Sequence, residues 1–400
     1  MVNLAVGLRD ARFGAEALAG SLRAIEAAGL RIERTPAPED RFLAWLDDAF
    51  GGTWSSEAFA GKSAIARAGV DIAGFATYDP RGLRYAWLRG WGAREDVGIF
   101  GPFGVDPHFR GSSLGPNLLV AALASLRECG YAYALIPAVG EEQLVEYYAA
   151  HSGASVVERF EKKRWQARRY RTTVLASGGG TNFQSVLDGS RSGRLPLVIT
   201  TLLCNRARAG AIERARDANV ENVVTLVRDR TGESRAEYDA RLLDAVERSE
   251  PELVLLLGWM HLLDDAFVER YGDAINIHPA FLPLDQRCDR VGMADGSTIP
   301  AFRGAHALAD AIRARSLWTG ASAHQLARDA DRGRILVRKP LRIGPGEDEG
   351  AILTRLHPLE HRVLAGGIMR WVYERSSVLR TETEGLRANR HAAPSTDSGL

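Results

Sequence analysis

The chain has 400 residues, 46% apolar and 25% charged, with 51 basic side chains against 50 acidic ones and a net charge of +1. That length suits two hydrophobic cores, and the balanced charge gives no electrostatic footprint for nucleic acid or an anionic membrane, so small molecules are the expected partners. Cys129, Cys204 and Cys288 are widely separated and odd in number, which excludes a disulfide framework or metal-ligand spacing, while the longest apolar run, LVLLLGWM at 253–260, is too short to span a bilayer; the expectation is a soluble cytoplasmic protein.

In chain order, GAEALAGSLRAIEAAG reads as an opening helix, followed by strands at SAIARAG, VDIAGFATYD and GIFGPFGVD. An amphipathic helix, LGPNLLVAALASLRECG, leads to a strand at YAYALIPA and a helix at EEQLVEYYAAHSG. Together these predict a mixed α/β domain over 1–165. The basic stretch EKKRWQARRYR at 161–171 is the candidate linker, although an exposed strand end followed by a short connector reads equally well.

Beyond it the pattern alternates strictly. TTVLAS is a short strand, NFQSVLDGSRSG a helix, LPLVITTLLCN a strand, AGAIERARDANV a helix and NVVTLV a third strand. ESRAEYDARLLDAVERSEP then reads as a helix, and ELVLLLGW as a nearly continuous apolar strand of the kind covered on both faces of a parallel sheet. The expectation is a doubly wound α/β domain over 170–378, with ligands beyond the carboxyl ends of its strands. The polar residues 379–400 are expected to be a disordered tail.

Two polar features of this second domain point to chemistry. Gly178, Gly179, Gly180, Thr181 and Asn182 sit between a strand and a helix, where glycine admits close backbone approach and the first helical N–H groups carry partial positive charge. A phosphate is the natural ligand, though tight strand-to-helix turns need glycine without one. The turn is neither a dinucleotide fingerprint nor a Walker loop. Asn276 and His278 are two residues apart on an extended segment and so project to one side. An amide N–H and an imidazole there can meet one developing oxyanion, and Asp331 is the candidate to orient the imidazole, although a lone histidine at a strand end is commonly structural.

Seven blocks, taken in order, carry a resemblance. They are VLASGGGTNFQSVLD, CNRARAGAIERARDANV, EYDARLLDAVERSEPELVLLLGWMHLLDDAFVERY, INIHPAFLP, FRGAHALADAI, GASAHQLARDADRGRILVRKPLRI and LHPLEHRVLAGGIMRWV. The chain from 172 to 374 resembles the glycinamide ribonucleotide formyltransferase family. The resemblance implies a Rossmann-like formyltransferase domain, 10-formyltetrahydrofolate as formyl donor, and Asn276, His278 and Asp331 as the catalytic set. It also implies a folate-pocket wall at Trp259, Met260, His261, Leu262 and Leu263, a phosphate turn at 178–182, and Glu360 at the acceptor amine. His357 stands where the family has lysine or glutamine near the phosphate. His261 stands where arginine is common, and its backbone is the part expected to matter. Between Pro283 and Phe302 this chain inserts LDQRCDRVGMADGSTIPA, which would either reshape the acceptor site or be a surface excursion; a role in acceptor specificity is the expectation.

In the first domain, Val105 to Gly115 runs from a strand into the amphipathic helix as VDPHFRGSSLG. This resembles the coenzyme A motif of the GNAT acetyltransferase superfamily, and EYYAAHSGASVVERF resembles its tyrosine helix and closing strand. The resemblance implies a GNAT-like domain binding acetyl-CoA through Val105, Arg110, Gly111, Ser113 and Gly115, with Ser113 where glycine is usual. Tyr148 would be the general acid, unless it is simply a half-buried helix tyrosine.

The expected function is therefore a bifunctional transferase: a formyltransferase acting on the nitrogen of a small amine, hydroxylamine or hydrazine in specialised metabolism, fused to an acetyl-CoA-dependent N-acyltransferase. Alternatives are glycinamide ribonucleotide formylation with a non-catalytic acetyl-CoA-binding domain, or a formyltetrahydrofolate hydrolase. The sequence leaves the oligomeric state open, a homodimer included, and implies no metal.

Overall fold

The computed structural model describes residues 1–35, 37–50, 52–79, 90–159 and 168–391, with side chains as far as 375. Its first half contains β1 (Val2–Gly7), α1 (Ala15–Ala27), β2 (Arg31–Thr35), α2 (Asp40–Ala49), α3 (Trp54–Ala60), β3 (Lys62–Ala68) and β4 (Asp71–Tyr78). β5 (Val97–Val105), α4 (Leu114–Glu128), β6 (Tyr133–Val139), α5 (Glu142–Ser152) and β7 (Ser155–Arg159) follow. The strands form one sheet in the order β2-β3-β4-β5-β6-β1-β7. β5 and β6 pair in parallel only from Val97 to Ile99, opposite Tyr133 to Leu135, and a cavity lined from both strands lies beyond that pairing. Much of the expected 161–171 linker lies outside the described residues.

The opening residues, for which the sequence reading predicts no element, are β1, buried over Val2 to Val6 between β6 and β7. The sequence reading also passed over α2 and α3, which cover 40–60. α2 buries Phe42, Leu43, Ala44 and Leu46, and its apolar positions suit a helix packed on both sides.

The second half contains β8 (Tyr170–Ala176), α6 (Thr181–Arg191), β9 (Leu197–Cys204), α7 (Gly210–Asp217), β10 (Asn222–Thr225), α8 (Arg235–Arg248), β11 (Leu253–Leu256), α9 (Asp265–Arg270) and β12 (Ile275–His278). A hairpin of β13 (Arg290–Gly292) and β14 (Thr298–Pro300) intervenes before α10 (Ala307–Arg313), β15 (Trp318–Gln325), β16 (Ile335–Arg342) and α11 (Glu349–His391). The main sheet runs β10-β9-β8-β11-β12-β15-β16, parallel as far as β12 and antiparallel over the last two strands. This is the expected Rossmann-like α/β arrangement. α11 crosses one face of the sheet. A Cβ on Gly367 would stand 2.7 Å from that of Ala323, so glycine is what permits the close approach. Of the tail expected to be disordered from 379, the described part, as far as His391, continues α11. Its leucine, arginine, glutamate and alanine are good helix formers.

The two halves share a core. Phe42, Leu43 and Phe75 belong to one buried cluster with Ala280, Phe281, Leu282 and the inserted residues Val291, Met293 and Ile299. Arg41 Nε donates to the Ala294 carbonyl at 2.9 Å, and Trp318 Nε1 donates to Asp295 at 2.8 Å. The insertion expected to reshape the acceptor site thus packs its apolar side on α2. Its first part braces the turn around Asp331, with Asp289 paired to both Arg303 and Arg332. No helix among the described residues is long and apolar enough to cross a membrane.

Candidate active site

The polar end of two adjacent strands builds the site. Asn276 lies opposite His324 across β12 and β15, and His278 lies opposite Ser322. Asp331 comes from the turn between β15 and β16 and adopts φ +56°, a left-handed conformation uncommon outside glycine though less so for aspartate, and neighbouring groups fix it there. The fixing groups are visible. Gly304 N–H donates to Asp331 Oδ2 at 2.7 Å, and Arg303 Nε donates to the Asp331 carbonyl at 3.3 Å.

His278 is 4% exposed. Its Nε2 is 2.8 Å from the Phe302 carbonyl, which can only accept, so the proton sits on Nε2 and Nδ1 faces Asp331 Oδ2 at 3.5 Å. Burial pushes the imidazole below its ordinary pKa, against the pull of Asp331 and the Phe302 carbonyl. For Asp331 burial acts upward, but the imidazoles of His324 and His278 and the Gly304 N–H together hold the carboxyl below the usual carboxylate range. Asn276 Nδ2 lies 3.1 Å from His324 Nε2 and 3.4 Å from Asp331 Oδ1. The result is an ionised carboxylate, a neutral imidazole able to take a proton at Nδ1, and an amide whose donors lie beside them.

Asn276, His278 and Asp331 line a cavity of about 230 Å³ with Trp259, Met260, His261, Leu262 and Leu263, so the sequence-expected catalytic set and pocket wall share one space. His261 Nε2 meets Asp239 of α8 at 2.6 Å and Arg235 Nη2 donates to the Leu262 carbonyl at 3.1 Å, which straps this wall to the helix. A second cavity, about 470 Å³, is lined by Gly178 to Asn182 with Arg206 and His306, and shares Gly258, Met260 and Ala305 with the first. Ser177 ties the two walls together, its hydroxyl accepting from Met260 N–H at 2.9 Å. Gly180 has φ +77°, and a Cβ there would stand 2.9 Å from the Cα of Ala211, so no other residue fits without displacement.

Glu360, on α11, is 6% exposed. Burial lifts its carboxyl to about 7, against a hydrogen bond from Asn182, which connects it to the glycine turn. His357 lies one helical turn earlier on α11, half-buried, and neither it nor Glu360 is among the residues lining either cavity; Glu360 reaches the glycine turn through Asn182.

The cavity in the first half, about 890 Å³, is lined by Val105, Arg110, Gly111, Gly115 and Tyr148. Ser113 is exposed at the start of α4 and does not line it, although Ser112 does. Tyr148 is buried and Tyr147 half-buried; burial pushes both phenols up, Tyr147 to about 12.

Sequence reasoning missed His324, Arg206 and His306. His324 was open to the argument used for His278, since it too is a polar residue at the end of an apolar strand.

A Rossmann-like α/β domain gathers an asparagine, a histidine and an aspartate at its strand ends, and the comparisons with known proteins place that domain among the formyl transferases. Residues 170–284 and 294–368 match the formyl transferase family model, with the gap falling inside the insertion. The chain is 32% identical over 219 residues to the phosphoribosylglycinamide formyltransferase of Mycobacterium tuberculosis (strain ATCC 25618 / H37Rv), covering 54% of this chain and 92% of that protein. It is 30% identical over 235 residues to the trifunctional purine biosynthetic protein adenosine-3 of Drosophila pseudoobscura pseudoobscura, covering 55% of this chain but only 16% of that longer protein. A crystal structure of glycinamide ribonucleotide transformylase 1 from Geobacillus kaustophilus is 30% identical, covering 52% of this chain and all of that one, with a TM-score of 0.43. Through its second half, the chain belongs to the formyl transferase family.

Proposed function

We propose that the second half transfers a formyl group from 10-formyltetrahydrofolate to the nitrogen of a small amine. The observation that carries this is the convergence of Asn276, His278 and Asp331 on a cavity that opens beside the glycine turn. The residues suit a folate. Trp259 is nearly buried and its Nε1 has no hydrogen-bond partner among the described residues, while Met260 and Leu262 offer exposed apolar surface at the same wall. When bound, the folate supplies the formyl carbon that the amine attacks.

The protein's part in the reaction follows from its geometry. Asn276 donates a hydrogen bond to the formyl oxygen as negative charge develops there, a contribution of about 3–4 kcal/mol for one well-placed donor. His278 Nδ1 takes the proton released by the attacking nitrogen and would return it to the folate nitrogen as the bond between that nitrogen and the formyl carbon breaks, and Asp331 stabilises the imidazolium in between. Glu360 attracts an ammonium and shares its proton, leaving the nucleophilic amine. The turn at 178–182, with Arg206 beside it, suits an anionic group on the acceptor. His357, from its place on α11, would bear on that group indirectly.

We further propose that the first half is a GNAT-like, acetyl-CoA-dependent acyltransferase. Its cavity lies between diverging strands and reaches the start of α4, where Arg110, Gly111 and Gly115 suit a pyrophosphate. A Cβ on Gly115 would stand 2.9 Å from the Tyr147 hydroxyl, so a side chain there would displace that phenol. Tyr148, kept protonated, supplies a proton to the departing thiolate. An acetyl-transfer partner is foreign to purine synthesis, which favours an acceptor from specialised metabolism, in the cytoplasm.

The test is a two-donor assay, monitoring tetrahydrofolate and free thiol with a panel of amines, hydroxylamines and hydrazines that includes glycinamide ribonucleotide. Release of both products with one acceptor supports the bifunctional reading. Fast formylation of glycinamide ribonucleotide without thiol release supports a purine enzyme with a non-catalytic first half. Tetrahydrofolate formed without any acceptor would make it a hydrolase.

A further inference from the structure

At the seam between the two halves lies an ion pair of unusual depth. Asp47, near the end of α2, and Arg338, on β16, are each 1% exposed. Arg338 Nε donates to Asp47 Oδ2 at 2.8 Å, and its Nη1 donates to the Leu282 carbonyl at 2.7 Å. The same guanidinium lies over the Phe281 ring, 4.3 Å from its centroid. Both contacts fall on the short segment that leaves His278. That segment is held from its other side by Ser322, whose hydroxyl donates to the Ala280 carbonyl at 2.7 Å and accepts from Leu282 N–H at 3.0 Å. Ser322 is also the residue facing His278 across the sheet. Two side chains therefore grip residues 280–282, and one of them is a cation that can be buried only because the first half supplies its counter-charge. Lys339 strengthens the joint, its Nζ donating to the Asp47 and Asp48 carbonyls at 2.8 Å each, at the carbonyl end of α2.

Adhesion alone does not account for this arrangement. A buried ion pair is a poor source of stability, because desolvation offsets the attraction and apolar side chains of similar size hold a seam at least as well. What the pair supplies that apolar residues would not is a directed donor to Leu282, four residues past His278.

We propose that Asp47 is a positioning residue for formyl transfer: acting through Arg338, it fixes the segment that carries His278, so the first half of the chain completes the site in the second. This rests on the formyl-transfer reading above. The joint need not be sensed by the ligands of the first half. It makes the first half a structural part of the second half's chemistry.

Full-length variants separate positioning from adhesion. Asp47→Asn removes the counter-charge. Asp47→Leu combined with Arg338→Met replaces the pair by apolar side chains and removes the donor to Leu282. The double variant is expected to melt close to the wild type yet to lose kcat for tetrahydrofolate release by about 10- to 100-fold, the usual effect of a small misplacement in a reacting site, with KM for the folate changed less than about threefold. Asp47→Asn should show the same split, and Asp47→Glu, which keeps the charge, should regain much of the kcat. A double variant that restores both melting and kcat would reduce the pair to adhesion, and so would an Asp47→Asn protein that turns over like the wild type. If Asp47→Asn does not fold, the double variant decides. If the double variant does not fold either, recovery of folding but not of kcat in Arg338→Met paired with Asp47→Ala upholds the proposal, and failure of all three overturns it in favour of a purely structural pair. Wild-type turnover abolished by His278→Ala anchors the series. Absence of any wild-type turnover would instead sink the formyl-transfer reading and this inference with it.

Discussion

Replacing Asp331 by asparagine keeps the shape of the side chain and removes its charge. In the folded protein Asp331 Oδ2 is 3.5 Å from Nδ1 of His278 and accepts from Gly304 N–H, so the amide introduced by Asp331→Asn would keep a carbonyl for Gly304 and lose the attraction for a protonated imidazole. At an effective dielectric constant of about 20, unit charges at that separation attract by about 5 kcal/mol. If the imidazole carries about half of a proton's charge in the transition state, the loss is about 2–3 kcal/mol, or about 30- to 150-fold in kcat. The assay is tetrahydrofolate release at saturating folate and acceptor, with the acceptor that the wild type uses fastest. Folate affinity, measured by calorimetry, should stay within about threefold, because a charge needed only in the transition state does not contribute to ground-state binding. A variant that folds and keeps kcat within about threefold of the wild type would remove Asp331 from the mechanism.

Other outcomes follow from single observations. Burial raises the Glu360 carboxyl from 4.5 to about 7, so the folded chain binds this proton more tightly than the unfolded one. The stability that it contributes is full below 4.5 and is lost as pH rises through 7, so urea midpoints should fall across that range and fall less in Glu360→Gln. The same substitution should flatten the pH dependence of turnover near neutrality; an unchanged profile would exclude Glu360 from acceptor ionisation. Gly180→Ala forces a Cβ to within 2.9 Å of the Ala211 Cα at φ +77°, and should destabilise the protein by about 1–3 kcal/mol in thermal melts while weakening anionic acceptors. Tyr148→Phe should slow thiol release from acetyl-CoA by about 10²-fold without changing acetyl-CoA affinity, and equal rates would assign the phenol to packing with Phe100, 6.1 Å away between ring centroids.

The regular half of the molecule was legible because its signals are local. A run such as LVLL at 253–256 reads as a buried parallel strand wherever it occurs, and a glycine turn between strand and helix announces itself. The pair Asn276 and His278 follows from the alternation of a strand, and resemblance joined Asp331 to it. The opening strand β1 was less legible: six residues flanked by nothing periodic become a strand because two neighbours pair with them. α2 and α3 were passed over for a similar reason, since their apolar positions make sense only once the sheet on one side and the insertion on the other are present.

The insertion marks the boundary most clearly. From sequence it was a polar, glycine-containing loop beside a catalytic histidine, and a role at the acceptor was the natural expectation. Folded, it turns Val291, Met293 and Ile299 into a shared core and lends Asp289 to the arginines flanking Asp331. Sequence alone determined the alternation of elements, the glycine turn and the placing of Asn276 and His278 on one side of a strand. Tertiary structure alone decided that His324 joins them, that burial lifts the Glu360 carboxyl, and that Asp47 meets Arg338. Burial and the pairing of distant charges depend on where the chain returns in space, and periodicity along the chain carries no record of that.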